Sequence, residues 1–274
     1  MTSNVPATAA APLRPDSKTA AAVALRCLDL TSLRDDDTTA SIQALAARAA
    51  TPHGAPAALC IHAPFVAVAR AALHAHGLDG VRVATVVNFP HGQGRPDEVV
   101  HDIEAARAAG ADEIDMVFPW RALLAGDRQA GSTLVAAARR ACDVGPKPAC
   151  LKVILETGEL REPRHIREAA EIAAAQGADF LKTSTGKVAV HATPEAAACL
   201  LDVIRAHGGR RVGLKVSGGL ANVEDVQTYL ALAAETFGPD GLTPDRLRFG
   251  ASSLLTSLLA VLDGRAAGAP AAGY

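Results

Sequence analysis

Three lysines stand inside runs of the sequence that are otherwise apolar: Lys152, Lys182 and Lys215. Lysine is almost never fully buried without a partner. An amine attacks a carbonyl only when it is unprotonated, and a free lysine, with a pKa of about 10.4, is mostly charged at neutral pH. Burial lowers that pKa, and so does a second ammonium group nearby. Neighbouring buried lysines therefore predict Schiff-base chemistry, with one lysine as the nucleophile and another as the perturbing cation.

Two aspartates, Asp29 and Asp115, lie in further apolar runs. They could hold the second lysine charged and move protons. The alternative for each lysine is a structural ion pair in the core, and for Lys152 both interpretations stay open. For Lys182 and Lys215 we favour catalysis, although spacing alone does not decide which of the two is the nucleophile.

Strand-like and helix-like segments alternate along the chain and must position these groups. The strand-like runs are Arg26–Leu30, Ala58–His62, Val81–Val87, Glu113–Phe118, Leu151–Leu155, Phe180–Thr183, Val212–Val216 and Arg248–Ala251. Helical periodicity covers Thr39–Ala50, Pro64–His76, Asp97–Ala109, Pro163–Gln176, Pro194–Ala206, Asn222–Glu235 and Ser252–Leu262. The strands are apolar at inward and outward positions, as in parallel sheets. Eight such repeats predict an α/β fold, a single-domain (β/α)8 TIM barrel, with an open doubly wound sheet as the alternative.

The chain length suits one barrel with two tails. Its 274 residues, 49% of them hydrophobic, are enough for a barrel of about 250 residues. We predict that residues 1–22 are a disordered Ala/Pro-rich extension, that residues 23–263 form the barrel, and that residues 264–274 are a flexible tail.

Composition narrows the classes of partner and compartment. The formal net charge of −2 gives no basic surplus for nucleic acid or an acidic membrane surface. Five cysteines without CxxC spacing predict reduced thiols in the cytoplasm. No apolar run approaches the ~20 residues of a membrane helix, and the N-terminus lacks the pattern of a signal peptide. We expect a cytoplasmic protein that binds a small molecule.

The segments after the last three strands predict a phosphate site. Loops after strands seven and eight commonly bind phosphate in such barrels. Gly218 and Gly219 let backbone N–H groups approach an anion closely. Ser252 and Ser253 stand where the last helix should begin, and Lys187, after strand six, could add positive charge.

Seven motifs, in chain order, resemble the deoxyribose-phosphate aldolase family. They are LDLTSL (Leu28–Leu33), ATVVNFPHG (Ala84–Gly92), DEIDMVFPWRALLAG (Asp112–Gly126), LKVILETGEL (Leu151–Leu160), LKTSTGK (Leu181–Lys187), GLKVSGGL (Gly213–Leu220) and FGASSLL (Phe249–Leu255). The resemblance spans Leu25 to Leu262. It implies a (β/α)8 class I aldolase, a homodimer without metal or cofactor, that acts in deoxyribonucleotide catabolism and carbohydrate degradation. The reaction would be reversible cleavage of 2-deoxy-D-ribose 5-phosphate to D-glyceraldehyde 3-phosphate and acetaldehyde.

The resemblance also implies a role for each matching residue. Lys182 would be the Schiff-base lysine, Lys215 the second lysine, Asp115 the proton-relay aspartate and Asp29 a further catalytic aspartate. The implied phosphate ligands are Gly186, Lys187, Gly218, Gly219, Gly250, Ser252 and Ser253. Longer family members end in a tyrosine that can assist proton transfer, and for Tyr274 both this role and a frayed tail stay open.

Other functions remain possible at this level. A metal-dependent aldolase would need converging histidines. His62 and His91 lie near strand ends, whereas His74 and His76 do not share a helix face. A TIM-barrel sugar-phosphate isomerase, another Schiff-base aldolase and a non-catalytic sugar-phosphate binder are the further alternatives.

Overall fold

The strands close into a barrel in the order in which they occur along the chain. The structure is a computed structural model that describes residues 14–207 and 211–265. All strand pairs between neighbours are parallel, and the last strand pairs with the first. The predicted (β/α)8 TIM barrel is therefore confirmed, and the open doubly wound sheet is wrong.

The elements follow the predicted alternation. The strands are β1 (Leu28–Thr31), β2 (Ala58–Ile61), β3 (Arg82–Val87), β4 (Glu113–Val117), β5 (Cys150–Ile154), β6 (Phe180–Lys182), β7 (Gly213–Ser217) and β8 (Leu247–Ala251). The helices are α1 (Ser17–Arg26), α2 (Thr39–Ala49), α3 (Val66–Ala75), α4 (Pro96–Ala108), α5 (Trp120–Leu124), α6 (Arg128–Asp143), α7 (Thr157–Leu160), α8 (Pro163–Ala175), α9 (Pro194–Ala206), α10 (Val223–Phe237) and α11 (Leu254–Leu262). Predicted and observed bounds of the shared elements differ by at most two residues.

Capping residues explain where several helices begin. Thr193 precedes α9 and its side chain accepts a hydrogen bond from the Ala196 N–H. The Asn222 side chain caps α10 by accepting a hydrogen bond from the Asp225 N–H, and the Asp225 carboxylate accepts one from the Asn222 N–H. Such caps satisfy N–H groups that have no partner within the helix. The sequence pattern missed α6, which follows its own cap, Asp127, and connects β4 to β5.

The first helix corrects the predicted N-terminal boundary. α1 begins at Ser17, inside the segment 1–22 that was predicted to be disordered, and Asp16 caps it. Ala20, Ala21 and Ala24 are fully buried where α1 packs against α10 and α11. Alanine-rich composition suggested disorder, but alanine is the best helix former and lets helices approach closely. Residues 1–13 and 266–274, including Tyr274, lie outside the described residues.

The barrel interior is divided between an apolar side and a charged side. Residues two apart on a strand share a face, so every second side chain points inward. On β2 and β3 these are Ala58, Cys60, Ala84 and Val86, which form a small cluster of their own. The other strands carry charged side chains inward, as described below. Outward-facing strand residues join the helices in one large apolar core.

Within residues 14–207 and 211–265, none of the helices is long and apolar enough to cross a membrane.

The docking of α1 can be tested with a charge on its buried face. Ala24→Glu would place a carboxylate against α10 and α11, and we expect the free energy of unfolding to fall by roughly 3 kcal/mol. Lys18→Glu, on the exposed side of the same helix, is the control and should change it by less than about 0.5 kcal/mol. Urea unfolding of both variants measures this, and equal values would mean that α1 does not pack on the barrel.

Candidate active site

Strand register places the charged residues side by side within the barrel. Lys182 on β6 lies opposite Lys215 on β7, and Lys215 lies opposite Arg248 on β8. Asp115 on β4 lies opposite Lys152 on β5. Because these strands are neighbours in a closed barrel, their inward side chains meet at its centre.

The carboxylate of Asp115 binds all three strand lysines. Its Oδ2 atom accepts hydrogen bonds from Lys182 Nζ and Lys215 Nζ, both at 2.7 Å. Its Oδ1 atom accepts from Lys152 Nζ at 2.8 Å. All four side chains are buried. Lys182 and Lys215 thus stand on neighbouring strands and both point into the barrel.

Asp29 completes the surroundings of Lys215. Its Oδ2 atom accepts a hydrogen bond from Lys215 Nζ, and its Oδ1 atom accepts one from Arg248 Nη1 at 2.6 Å. Lys215 is therefore held between two carboxylates, Asp29 and Asp115. This is the arrangement expected for a lysine that must keep its proton.

Sequence reasoning missed Glu113 and Arg248. The Glu113 carboxylate accepts hydrogen bonds from Arg248 Nη2 at 2.7 Å and Nη1 at 3.1 Å, and it lies 2.5 Å from Lys152 Nζ. The sequence did contain a signal, since Glu113 stands two residues before Asp115 in the same strand. Side chains at that spacing share a face. The ion-pair interpretation of Lys152 is the one that the geometry matches.

These side chains form one buried charge cluster. Its members are Asp29, Glu113, Asp115, Lys152, Lys182, Lys215 and Arg248.

The two central lysines differ electrostatically. Burial lowers the pKa of Lys182, and the Lys215 cation lowers it further, so that the pKa lies below its ordinary value despite Asp115. Burial acts on Lys215 in the same direction, but Asp115 and Asp29 outweigh it and raise the pKa of Lys215. The structure therefore separates two lysines that sequence spacing left equivalent.

The aspartates of the cluster stay ionised. Burial by itself would raise the pKa of Asp115, but the charges of Lys152, Lys182 and Lys215 hold it well below its usual range. For Asp29, Lys215 and Arg248 likewise outweigh burial and lower the pKa. Asp115 is thus a charged acceptor between the two lysines, within reach of a proton on either one.

A buried glutamate anchors the loop that follows Lys182. Glu156 follows β5 with a left-handed backbone, φ 59°, and its carboxylate accepts hydrogen bonds from the Thr185 N–H at 3.2 Å and the Thr185 hydroxyl at 2.5 Å. Burial raises the pKa of Glu156 in spite of these bonds. The loop that carries Gly186 and Lys187 is therefore fixed to the adjacent strand end.

Apart from Gly250, the predicted phosphate ligands lie in the loops after β6, β7 and β8. Gly186, Gly218 and Gly219 have left-handed backbones, with φ of 82°, 82° and 75°. A side chain at Gly218 would come within 2.9 Å of the His191 side chain, which links the loops after β6 and β7. Ser252 and Ser253 precede α11, and Ser253 is its N-cap. Their role as phosphate ligands stays a prediction.

Gly250 differs from the other predicted phosphate ligands because it lies within β8. A Cβ atom there would collide with Ser217 Oγ and would lie 3.1 Å from Lys215 Cε. The absence of a side chain at Gly250 therefore leaves room for Lys215 to cross the barrel.

No group of three or more His, Cys, Asp or Glu side chains that could hold a metal ion occurs within the described parts of the chain.

A comparison with protein families gives a match over most of the chain. Residues 23–260 match the family model described as DeoC/LacD family aldolase, which is most of the chain. The chain belongs to this aldolase family. The buried lysines, Asp115 and the glycine-containing loops all fall within the matched region.

Solved structures resemble the chain over most of its length. A Toxoplasma gondii ME49 protein, provisionally named a deoxyribose-phosphate aldolase, is 29% identical with a TM-score of 0.82, covering 92% of this chain and 99% of that one. A similarly named Coccidioides immitis protein is 28% identical with a TM-score of 0.73, covering 85% and 83%. The tetrameric deoxyribose phosphate aldolase of Aeropyrum pernix, 24% identical with a TM-score of 0.69 over 90% and 97%, shares the fold.

The space beside Lys215 can be tested by adding one methyl group. We expect Gly250→Ala to lower the free energy of unfolding by roughly 1–3 kcal/mol, because the methyl group overpacks Ser217 and Lys215. Gly80→Ala is the matched control, since nothing lies within 4 Å of a Cβ there. Chemical denaturation of the two variants gives the comparison. A Gly250→Ala protein as stable as Gly80→Ala would show that Lys215 does not need this space.

Proposed function

We propose that the protein is a class I aldolase that reversibly cleaves 2-deoxy-D-ribose 5-phosphate to D-glyceraldehyde 3-phosphate and acetaldehyde through a Schiff base on Lys182. The observation that carries the proposal is the shared Asp115 oxygen, which Lys182 and Lys215 both contact at 2.7 Å. Of these two amines, Lys182 has the lowered pKa and Lys215 the raised one. A buried amine beside a fixed cation is an arrangement that activates a lysine for iminium formation.

The first step uses the neutral amine of Lys182. Its lone pair attacks the C1 aldehyde carbon of the sugar, the resulting carbinolamine loses water, and an iminium ion forms. Lys215 stays protonated between Asp29 and Asp115 and stabilises the neutral form of Lys182 by its charge.

The second step breaks the carbon–carbon bond. The ionised Asp115, acting through a water molecule that the protonated Lys215 helps to hold, takes up the proton of the C3 hydroxyl group. The C3–O bond becomes the carbonyl of glyceraldehyde 3-phosphate, and the electrons of the C2–C3 bond flow into the iminium. The enamine left on Lys182 is protonated at C2, and hydrolysis then releases acetaldehyde and the free amine.

The phosphate of the substrate would be bound at the loops after β6, β7 and β8. Gly218 and Gly219 present backbone at the end of β7, and the N-terminus of α11 follows Ser253. Backbone N–H groups and a helix N-terminus favour an anion. Lys187, which is exposed, would add a positive charge.

Trapping the intermediate tests the nucleophile directly. Incubation with 2-deoxy-D-ribose 5-phosphate followed by sodium borohydride should reduce the iminium to a stable secondary amine on Lys182, which peptide mass spectrometry locates. Lys182→Ala should give no adduct and lose at least about a thousandfold in kcat, because the amine that carries the covalent intermediate is removed.

Each other outcome of the trapping experiment assigns a different function. An adduct on Lys215 would keep the aldolase and reverse the two lysine roles. An adduct on Lys182 without cleavage of 2-deoxy-D-ribose 5-phosphate would indicate another Schiff-base aldolase. Turnover of a sugar phosphate with no adduct on any lysine would refute the Schiff base and favour an isomerase.

The phosphate site can be tested with one substitution and two substrates. Lys187→Ala should raise KM for 2-deoxy-D-ribose 5-phosphate by about tenfold, because one charge-assisted contact is lost. The same variant should cleave unphosphorylated 2-deoxy-D-ribose as well as the unchanged protein does. Steady-state kinetics with both sugars gives the comparison, and an equal loss on both would contradict phosphate binding by Lys187.

A further inference from the structure

The buried charge cluster contains one more cation than anion when every member is ionised. Among the described residues it brings together the carboxylates of Asp29, Glu113 and Asp115 with Lys152, Lys182, Lys215 and Arg248. A buried charge without a partner is costly, and a titratable group shifts its pKa and becomes neutral instead. The loss of one proton balances the cluster.

Contacts within the cluster indicate which cation gives up its proton. Lys182 contacts a single carboxylate of the cluster, and it shares that oxygen with Lys215. Lys152 lies within 3.4 Å of three carboxylates. Arg248 binds two carboxylates, and a guanidinium does not lose its proton in proteins. Lys182 is the member whose proton is held least.

We propose that Glu113 and Arg248 are positioning residues that fix the charge balance of the cluster and so keep Lys182 as the neutral amine. The proposal rests on the function of Lys182 as the nucleophile, proposed above, and adds to it two residues that act through others. Glu113 and Arg248 stand on β4 and β8, where Asp115 and Asp29 separate them from Lys182.

Glu113 acts by pairing with two buried cations, and its carboxylate also lies 3.5 Å from the exposed Arg82. It contacts Lys152 at 2.5 Å and Arg248 at 2.7 Å. Without Glu113, Lys152 would have only Asp29 and Asp115 as partners, and Arg248 would have only Asp29. Removing the Glu113 charge would leave two carboxylates for four cations, and the proton on Lys182 would be held even less firmly. Removing the Arg248 charge would leave three carboxylates for three lysines, and each lysine, Lys182 included, could then keep its proton.

Titratable and charged groups from several strands surround Lys182. The titratable and charged groups that reach it directly or through Asp115 are Cys60 on β2, Asp115 on β4, Lys152 on β5, Glu156 after β5, Lys215 on β7, and, one contact further, Asp29, Glu113 and Arg248. Burial raises the pKa of the Cys60 thiol, which keeps it neutral. Burial also raises the pKa of Glu156, which bonds to Thr185 instead of to the cluster.

The proposal is tested by removing the negative charge of Glu113 and the positive charge of Arg248 in separate variants, which should shift the protonation of Lys182 in opposite directions. The readout is the pH dependence of imine formation with acetaldehyde, trapped by cyanoborohydride and measured as the adduct on Lys182. Its midpoint follows the protonation of Lys182. Glu113→Gln should move the midpoint down by about one pH unit and Arg248→Gln should move it up by about one, whereas the double variant should return close to the unchanged protein.

Two controls separate charge from folding. Urea unfolding of each variant measures how much stability the substitution removes. A loss of folded protein lowers the yield of adduct at all pH values, but it does not move the midpoints of the two variants in opposite directions. Arg128→Gln removes an arginine from an exposed ion pair with Glu168 and should leave the midpoint unchanged.

The outcomes distinguish this proposal from the proposed function. Shifts of the same sign in both single variants, or no shift in either, would overturn the role of Glu113 and Arg248 while the Lys182 adduct still supported the aldolase. Absence of any Lys182 adduct in the unchanged protein would instead overturn the nucleophile, and this proposal with it.

Discussion

The carboxylate of Asp115 is the interaction on which the arrangement of the barrel centre depends. It accepts hydrogen bonds from lysines on three successive strands, β5, β6 and β7, and so brings together amines that would otherwise repel one another. Three lysines can be buried at one point only if anions lie among them. Replacing such a group by an apolar residue would leave uncompensated cations, which explains why the charged side chains occur as one connected network.

Apolar residues and a glycine around the charge cluster support this network. On β2 and β3 the interior holds Ala58, Cys60, Ala84 and Val86, which form a small buried apolar cluster. Gly250 leaves the space that Lys215 crosses. A large apolar core lies between the strands and the helices, and α1 packs on α10 and α11 as part of it. The free energy gained by burying this apolar surface offsets the cost of burying the charged side chains. The arrangement of the charged side chains inside the barrel therefore depends on the apolar packing around it.

Family membership and geometry address different parts of the function. The match over residues 23–260 places the chain among the DeoC/LacD aldolases, and the lysine pair on Asp115 is consistent with carbon–carbon bond chemistry at a carbonyl. The proposed phosphate site lies in the loops after β6, β7 and β8, and the first two of these loops directly follow the strands that carry Lys182 and Lys215. Barrels commonly build a site in this way, with reactive side chains at the strand ends and further groups from the loops that follow them.

The sequence alone determined the barrel and much of its centre, because strand–helix alternation and charged residues in apolar strands are local patterns. Lys182, Lys215, Asp29 and Asp115 could be selected from those patterns, and their convergence is confirmed. Helix α1 was missed because alanine-rich composition is compatible with both a helix and a disordered segment, and only packing on α10 and α11 decides between them. Sequence spacing could not decide which of Lys182 and Lys215 has the lowered pKa, and it did not show that Glu113 and Arg248 belong to the charge cluster. Those depend on how many carboxylates each cation contacts across the closed barrel, which only the tertiary structure decides.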